Sequence, residues 1–354
     1  MHSAALIVDG AVYVPLRFVG ESFGADVTWA PAEREVVIET RTPVDSQPWR
    51  YRVLVGVTDR TVKSFGGLEA VRLRIAEQFD RINATFEESP FAGKPVFEIN
   101  PDEIYTVPGD GRNEALARKH PDHELLMVYD AYPSGGGGWY GGPYQAVHHA
   151  WPTGDWGNLF DRDATRGIVH ELTHAIGHAL DLYALHVDAE RNPVNRTAYR
   201  TPPSVMSDPY TAANWDDHAI ESVNRAGGYV IEEENDSWPA TQFPETMTVS
   251  VRKSDGSGVG NAAIRLYPVK WYSYEVLREP ALSGTTDADG AWTLPENPFR
   301  PFREQMPWGM EFANFLVEAE LPDGRKLYDW MPVDRVQLAS VAEPSTYLLT
   351  LLAR

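Results

Sequence analysis

The chain has no cysteine among its 354 residues, which excludes disulfide staples, thiolate metal sites, thiol nucleophiles and any cysteine-based latency. Such a composition suits the cytosol and equally the exported proteins of bacteria that rely little on disulfides. Positive charge is scarce as well: 31 Lys and Arg face 51 Asp and Glu, a formal net charge of −20. That balance repels nucleic acid and anionic membrane surfaces and favours solubility and divalent cations, so no nucleic-acid partner is expected. The opening residues, Met1-His2-Ser3-Ala4-Ala5, carry neither a basic region nor a long apolar run, and neither a signal peptide nor a membrane span is expected. Histidine is sparse but concentrated, with nine of the ten lying between His120 and His218. What is present is ample apolar material: 43% hydrophobic residues with eleven Trp, in a length that fits two or three domains of about 100 to 200 residues each.

The stretch that organises the chain is Val169-His170-Glu171-Leu172-Thr173-His174-Ala175-Ile176-Gly177-His178-Ala179-Leu180-Asp181-Leu182-Tyr183. On a helix, His170 and His174 stand one turn apart on one face, so both imidazoles can reach one metal ion. Glu171 projects roughly 100° further round, where it can take a proton from the ion's water without occupying a coordination position. Zn²⁺ accepts neutral imidazole nitrogens readily and, in catalytic sites, keeps three protein ligands and an open position. Ile168, Val169, Leu172, Ala175 and Ile176 supply the apolar face of a buried helix. His178 lies about 12 Å along a straight helix from His170, too far to share one ion at bonds near about 2 Å. Gly177 offers another route, since a glycine in the left-handed conformation can stop the helix and turn the chain back toward the metal.

At this point the sequence resembles the metzincin zinc peptidases, whose motif is H-E-x-x-H-x-x-G-x-x-H or the same with a final Asp. Counted strictly, the third-ligand position falls on Leu180, which cannot bind zinc. Immune inhibitor A-like peptidases end the motif in Asp-x-Tyr, and Asp181-Leu182-Tyr183 resembles that ending with one inserted residue. The resemblance therefore implies Asp181 as third ligand, with His178 and His186 as alternatives. A second feature resembles the same family: Ser204-Val205-Met206-Ser207-Asp208-Pro209-Tyr210 looks like its methionine turn, and Asn214 to Glu221 like the helix after it. Tyr183 and Tyr210 lie within reach of such a site, although packing with a satisfied hydroxyl is the simpler reading of both. In gluzincin peptidases a later glutamate completes the metal site; Glu190 would be the candidate here, but Asn192 and Pro193 interrupt any helix around it.

The flanks read differently. Ala5 to Val14 has the pattern strand, Asp-Gly turn, strand; Pro15 to Gly24 fits a short helix; Val27-Thr28-Trp29 and Glu35 to Ile38 are further strands. Tyr13-Val14-Pro15-Leu16-Arg17-Phe18-Val19-Gly20-Glu21-Ser22-Phe23-Gly24-Ala25 resembles the copper amine oxidase N-terminal-like domain, which recurs in surface proteins of Gram-positive bacteria. From residue 5 to 40 there is no Cys and no His, so the resemblance implies a structural or envelope-attachment role rather than copper chemistry. A Pro- and Ser-containing linker follows. Tyr51 to Thr58, Val96 to Ile99 and Glu124 to Asp130 read as strands, with helical periodicity from Gly67 to Glu88. The glycine-rich Ser134 to Tyr144 lacks the Gly-Lys-Ser/Thr ending of a phosphate loop; it reads as a surface loop or as the approach to an edge strand, Tyr144 to Ala150, where an extended peptide adds. His148 and His149 point to opposite faces of that strand. After about Thr246, Met247 to Val251, Ala263 to Tyr267, Ala291 to Leu294, Phe315 to Ala319 and Tyr347 to Leu352 give short strands between turns, the pattern of a β-sandwich, and resemble carboxypeptidase regulatory-like or Cna-B-like modules. Asp287 and Asp289 read as an Asp-Gly turn rather than a calcium loop, and the segment, having no His, is expected to carry no zinc chemistry.

The resulting expectation is a multidomain α+β protein: residues 1–42 a copper amine oxidase N-terminal-like module, 48–245 a metzincin-like zinc peptidase domain, 246–354 an all-β sandwich. The function expected is a secreted or cell-surface zinc endopeptidase acting on protein or peptide, with His170, His174 and Asp181 holding Zn²⁺ and Glu171 as general base. The alternatives are a catalytically silent surface adhesion protein, against which the presence of Glu171 argues, and a zinc hydrolase of another amide or of glycoprotein.

Overall fold

The structure is a computed structural model. It describes residues 48–108, 122–131, 147–151, 157–229, 238, 242–299, 312–341 and 345–353 in full, and the backbone of strands at 6–8, 11–13, 25–30, 35–40, 137–139 and 145–146. The chain divides into two compact units, Met1–Gln47 and Pro48–Arg354. In the first, β1 (Leu6–Val8) pairs antiparallel with β2 (Ala11–Tyr13), as the Asp9-Gly10 turn signal requires, and β3 (Ala25–Ala30) pairs antiparallel with β4 (Glu35–Thr40). The helix expected between Pro15 and Gly24 lies outside the described residues.

The second unit begins with β5 (Trp49–Thr58), α1 (Asp59–Ser64) and α2 (Leu68–Glu87), followed by β6 (Pro95–Glu98), β7 (Tyr105–Val107), β8 (Leu125–Asp130), β9 (Gly137–Trp139), β10 (Gln145–Ala150) and α3 (Arg162–Gly177). Their sheet runs β6-β5-β8-β10-β9, with β7 beside the end of β5. All pairs are parallel except β9 with β10. All six residues of β8 are buried, which is why that strand lacks apolar alternation: covered on both faces, it has no solvent side to mark. α2 buries Val71, Ile75, Phe79, Ile82 and Phe86, one stripe at helical spacing. Its buried Gln78 donates to the Leu159 carbonyl at 3.1 Å and to Thr165 Oγ1 at 3.0 Å, joining α2 to the start of α3.

The sheet edge differs from the sequence expectation. Part of the glycine-rich stretch, Gly137–Trp139, is itself the outer strand, paired with Ala146, Val147 and His148, so β10 is an inner strand and β9 the edge. Two adjacent glycines offer no side-chain signature of a strand, although their backbone groups pair as well as any. The rest of that stretch lies outside the described residues. His149 is buried, while His148 Nε2 lies 3.5 Å from the Asp130 carboxylate.

Beyond α4 (Asp217–Ala226) come β11 (Thr246–Lys253), β12 (Ala263–Lys270), β13 (Leu282–Thr285), β14 (Ala291–Thr293), β15 (Phe312–Glu320), β16 (Lys326–Pro332), α5 (Val333–Ala339) and β17 (Thr346–Ala353). They build two sheets, β14-β11-β17 and β13-β12-β15-β16. Val249, Val251 and Leu351 of the first join Ile264, Leu266, Phe315 and Val317 of the second in the buried core. Two strands, β13 and β16, are not visible in the sequence, and the short α5 departs from the expected all-β pattern before β17. α5 lies against α4, where Gln337 Oε1 meets His218 Nε2 at 2.8 Å. No described helix is long and apolar enough to cross a membrane.

Candidate metal centre

α3 starts from Asp161, whose Oδ1 accepts the Ala164 N–H at 2.8 Å, a carboxylate at the positive end of the helix. Ile168, Val169, Leu172, Ala175 and Ile176 are buried as their spacing requires. The helix stops after Gly177, and here the sequence expectation is corrected: Gly177 stays helical, and the left-handed residue is His178, with φ 52° and ψ 34°, whose N–H returns to the His174 carbonyl at 2.7 Å.

Gly177 is required for a different reason. A Cβ built there would lie 2.5 Å from Val223 Cγ2 and 2.9 Å from the Val223 backbone, so α3 and α4 touch where no side chain fits, and Ser222 Oγ donates to the Gly177 carbonyl at 2.6 Å. Gly177→Ala gains up to about 1 kcal/mol of helix propensity but incurs about 1–3 kcal/mol of overpacking. A lower urea midpoint of unfolding is expected, and an unchanged or higher midpoint would refute the close-approach account.

After His178 the chain turns back and places Asp181 against the two histidines. His170 Nε2 lies 3.1 Å and His174 Nε2 2.8 Å from Asp181 Oδ1, with 3.2 Å between the two nitrogens. The other ring nitrogens are committed to carbonyls: His170 Nδ1 to Val205 at 2.8 Å, and His174 Nδ1 to Ala179. A carbonyl oxygen only accepts, so each Nδ1 must donate, which leaves both Nε2 lone pairs directed at the same place as a carboxylate oxygen. Three acceptors facing one another repel unless a positive charge sits among them. Taken by themselves, the side chains supply one: burial opposes a charge on His174, but the Asp181 carboxylate outweighs it and raises its pKa to about 9. Burial likewise opposes the Asp181 anion, yet the imidazoles hold that carboxyl well below its usual range. A divalent cation meets the same electrostatic need, and the three residues could bind a metal ion; among the described residues no other such group occurs.

The turn at 204–208 organises this arrangement. Val205 holds His170, and the next carbonyl, that of Met206, accepts the Leu182 N–H at 3.0 Å, so two successive residues fix the first histidine and the chain beside Asp181. Met206 is fully buried. Its N–H donates to Ser204 Oγ, which donates in turn to Asp216 Oδ2 at 2.8 Å, and Asp216 Oδ1 caps α4 through the Ala219 N–H. The carbonyls of Val205 and Ala179 are invisible in the sequence, because any residue supplies one.

Glu171 is half-buried, and its charge acts on His174, Tyr183 and Tyr210, which puts it beside the cluster without belonging to it. Tyr183 has its ring 6.5 Å from that of His170; burial and then Asp181 raise the pKa of its hydroxyl. Tyr210 is 42% exposed and packs on Trp151 at 5.8 Å between rings, so it is a surface residue near the site rather than a packed core aromatic. The remaining candidates are elsewhere: His178 is outside the cluster, His186 Nε2 bonds Thr201 Oγ1 at 3.0 Å, and Glu190 is exposed on a short 3-10 turn. Asp287 Oδ1 accepts from the N–H groups of Asp289 and Ala291, both at 2.9 Å, a backbone turn as expected. One participant escapes sequence reasoning altogether. Tyr272, between β12 and β13, is 45% exposed but donates its hydroxyl hydrogen to Asp181 Oδ2, and partial desolvation, then Asp181, raises its pKa.

Residues 1–40 match the copper amine oxidase N-terminal domain. That match lies within the first compact unit. No curated protein matches the chain. Among solved structures, a chaperone–substrate complex is similar at 12% identity and TM-score 0.33, over 58% of this chain and 42% of the other, so the chain spans less than half of that neighbour. A catalytically inactive OgpA from Akkermansia muciniphila, in complex with an O-glycopeptide substrate, is similar at 12% identity and TM-score 0.31, over 86% of this chain and 97% of the other. A 9R-lipoxygenase from Cyanothece is similar at 12% identity and TM-score 0.17, over 32% of this chain and 16% of the other. Likenesses this slight transfer neither fold nor function.

Proposed function

We propose that the chain is a zinc-dependent endopeptidase of metzincin type that hydrolyses protein or peptide substrates outside the cell or at its surface. The observation that carries this reading is the convergence of His170 Nε2, His174 Nε2 and one Asp181 oxygen, their ligand atoms all within 4.8 Å of one another, with Glu171 next to them. Two imidazoles and one carboxylate form the nitrogen-rich set that suits Zn²⁺ better than Ca²⁺ or Mg²⁺, which favour oxygen ligands. Bound by these three residues, zinc would act as a Lewis acid and ease the ionisation of water.

The work of the chain's own residues follows. Glu171 takes a proton from the attacking water as the water oxygen adds to the scissile carbonyl carbon, and delivers that proton to the departing amine as the C–N bond breaks, so the carboxylate is regenerated. The Val205 and Ala179 carbonyls keep both imidazoles in the tautomer whose lone pair faces the centre. A recess along the Val169 flank of α3, lined by Val205, Pro209 and Trp215 together with Thr85, Glu88 and Arg166, offers room for a substrate side chain. Location outside the cell rests on the resemblance of Tyr13 to Ala25 to a module recurrent in surface proteins of Gram-positive bacteria.

The test is metal analysis of the full chain together with cleavage of a broad peptide library before and after chelation. About one zinc per chain is expected, with cleavage abolished by chelator and restored by Zn²⁺. Chelator-indifferent cleavage or a protein that takes up no metal would defeat the proposal, and a zinc-loaded chain that cuts nothing would favour the adhesion alternative.

A further inference from the structure

The segment that follows β12 leaves its sheet and comes back over the metal centre. Tyr272 and Tyr274 both take left-handed backbone, with φ 56° and 57°, a conformation that bulky residues adopt only where their surroundings enforce it. The enforcing contacts are on the chain that follows Asp181. Val276 N–H donates to the Arg191 carbonyl at 3.0 Å, Asp188 N–H to the Tyr274 carbonyl at 3.2 Å, and Arg191 Nη1 to the Ser273 carbonyl at 3.0 Å. The outcome is a tyrosine held with its hydroxyl on Asp181 Oδ2 and its ring 5.6 Å from that of Tyr183. Both oxygens of Asp181 are thereby assigned, Oδ1 to the two histidines and Oδ2 to Tyr272.

We infer that Tyr272 is a positioning residue of the metal centre, which by occupying Oδ2 makes Asp181 present Oδ1 alone to the ion. This rests on the metal-binding reading given above. A carboxylate can offer a cation one oxygen or two, and a second oxygen turning inward would occupy the space that water and the substrate carbonyl need. A hydrogen bond to the outer oxygen prevents that rotation and orients the ligand, the part that groups bonded to metal ligands generally play. The loop between β12 and β13 therefore reaches the centre, although it supplies no ligand to it.

The experiment compares the full-length wild type with Tyr272→Phe, which keeps the ring, and with Tyr272→Asn, a residue at ease in left-handed backbone. Two quantities are read: Zn²⁺ affinity by chelator competition, and the visible spectrum of the Co²⁺-loaded protein, whose band intensity reports the number and arrangement of donor atoms. Both variants are expected to bind Zn²⁺ about 10- to 100-fold more weakly than wild type, and the Co²⁺ bands are expected to shift and change in intensity. Melting of the metal-free proteins at the wild-type temperature would show that the loss is not general unfolding. Wild-type affinity and spectrum in both variants would overturn the role of Tyr272 while leaving the metal reading intact. Failure of the wild type itself to take up either ion would overturn both together.

Discussion

Glu171→Gln is expected to lower peptide cleavage by about 10²- to 10⁴-fold, the range supplied by a positioned general acid–base group, with zinc content unchanged. The amide keeps the size and hydrogen-bonding reach of the carboxylate but cannot accept the proton of the attacking water. The separation of the two readouts follows from position: Glu171 is adjacent in sequence to His170, so it projects about 100° away round the helix, and it is absent from the group of atoms that converge on the ion site. Single-turnover cleavage and elemental analysis on the same preparation check the prediction. If the variant lost its zinc along with its activity, Glu171 would be a ligand or a structural support; if it cleaved at the wild-type rate, the proton transfer would belong to another group.

The second large effect concerns Asp181. Asp181→Ala should weaken Zn²⁺ binding by more than about 100-fold, beyond the range typical of groups that act only through a ligand, whereas His178→Ala and His186→Ala should retain the ion. The variant should fold, because the backbone there does not depend on the carboxylate: the Leu182 N–H is held by the Met206 carbonyl and the Ala184 N–H by the carbonyl of Asp181 itself, each at 3.0 Å, and the side chain makes no capping bond to the turn that it precedes. Chelator competition on the three variants distinguishes the candidates, and zinc retention by Asp181→Ala would eliminate Asp181 as a ligand.

How much of this is legible in the sequence depends on whether a periodic pattern fixes the geometry. His170 and His174 can be paired from spacing alone, because a helix brings i and i+4 together irrespective of the rest of the chain. Asp181 cannot, since it lies beyond the left-handed residue, where the path depends on individual dihedral angles. Gly177 stands out in the sequence as special, but the constraint is the proximity of Val223 on another helix, which no local signal encodes. Tyr272 is out of reach for a similar reason: it meets Asp181 through a segment 91 residues away, and its only hint is an aromatic cluster, Trp271-Tyr272-Ser273-Tyr274, just after a strand. The strands of the C-terminal sheets are mostly visible from their alternation, while α5 is too short to establish a helical period.

The division of the chain at Gln47 and Pro48 has a practical meaning for anyone recombining or trimming this protein. A cut there severs no described hydrogen bond of the second unit, but a cut near residue 245 would separate Gln337 from His218, Asn314 from the Leu185 carbonyl and Tyr272 from Asp181. A grafted fragment comprising only the first half of that unit would inherit the histidines without the clamp on their carboxylate neighbour, so the transferable cassette is the whole span from Pro48 onward.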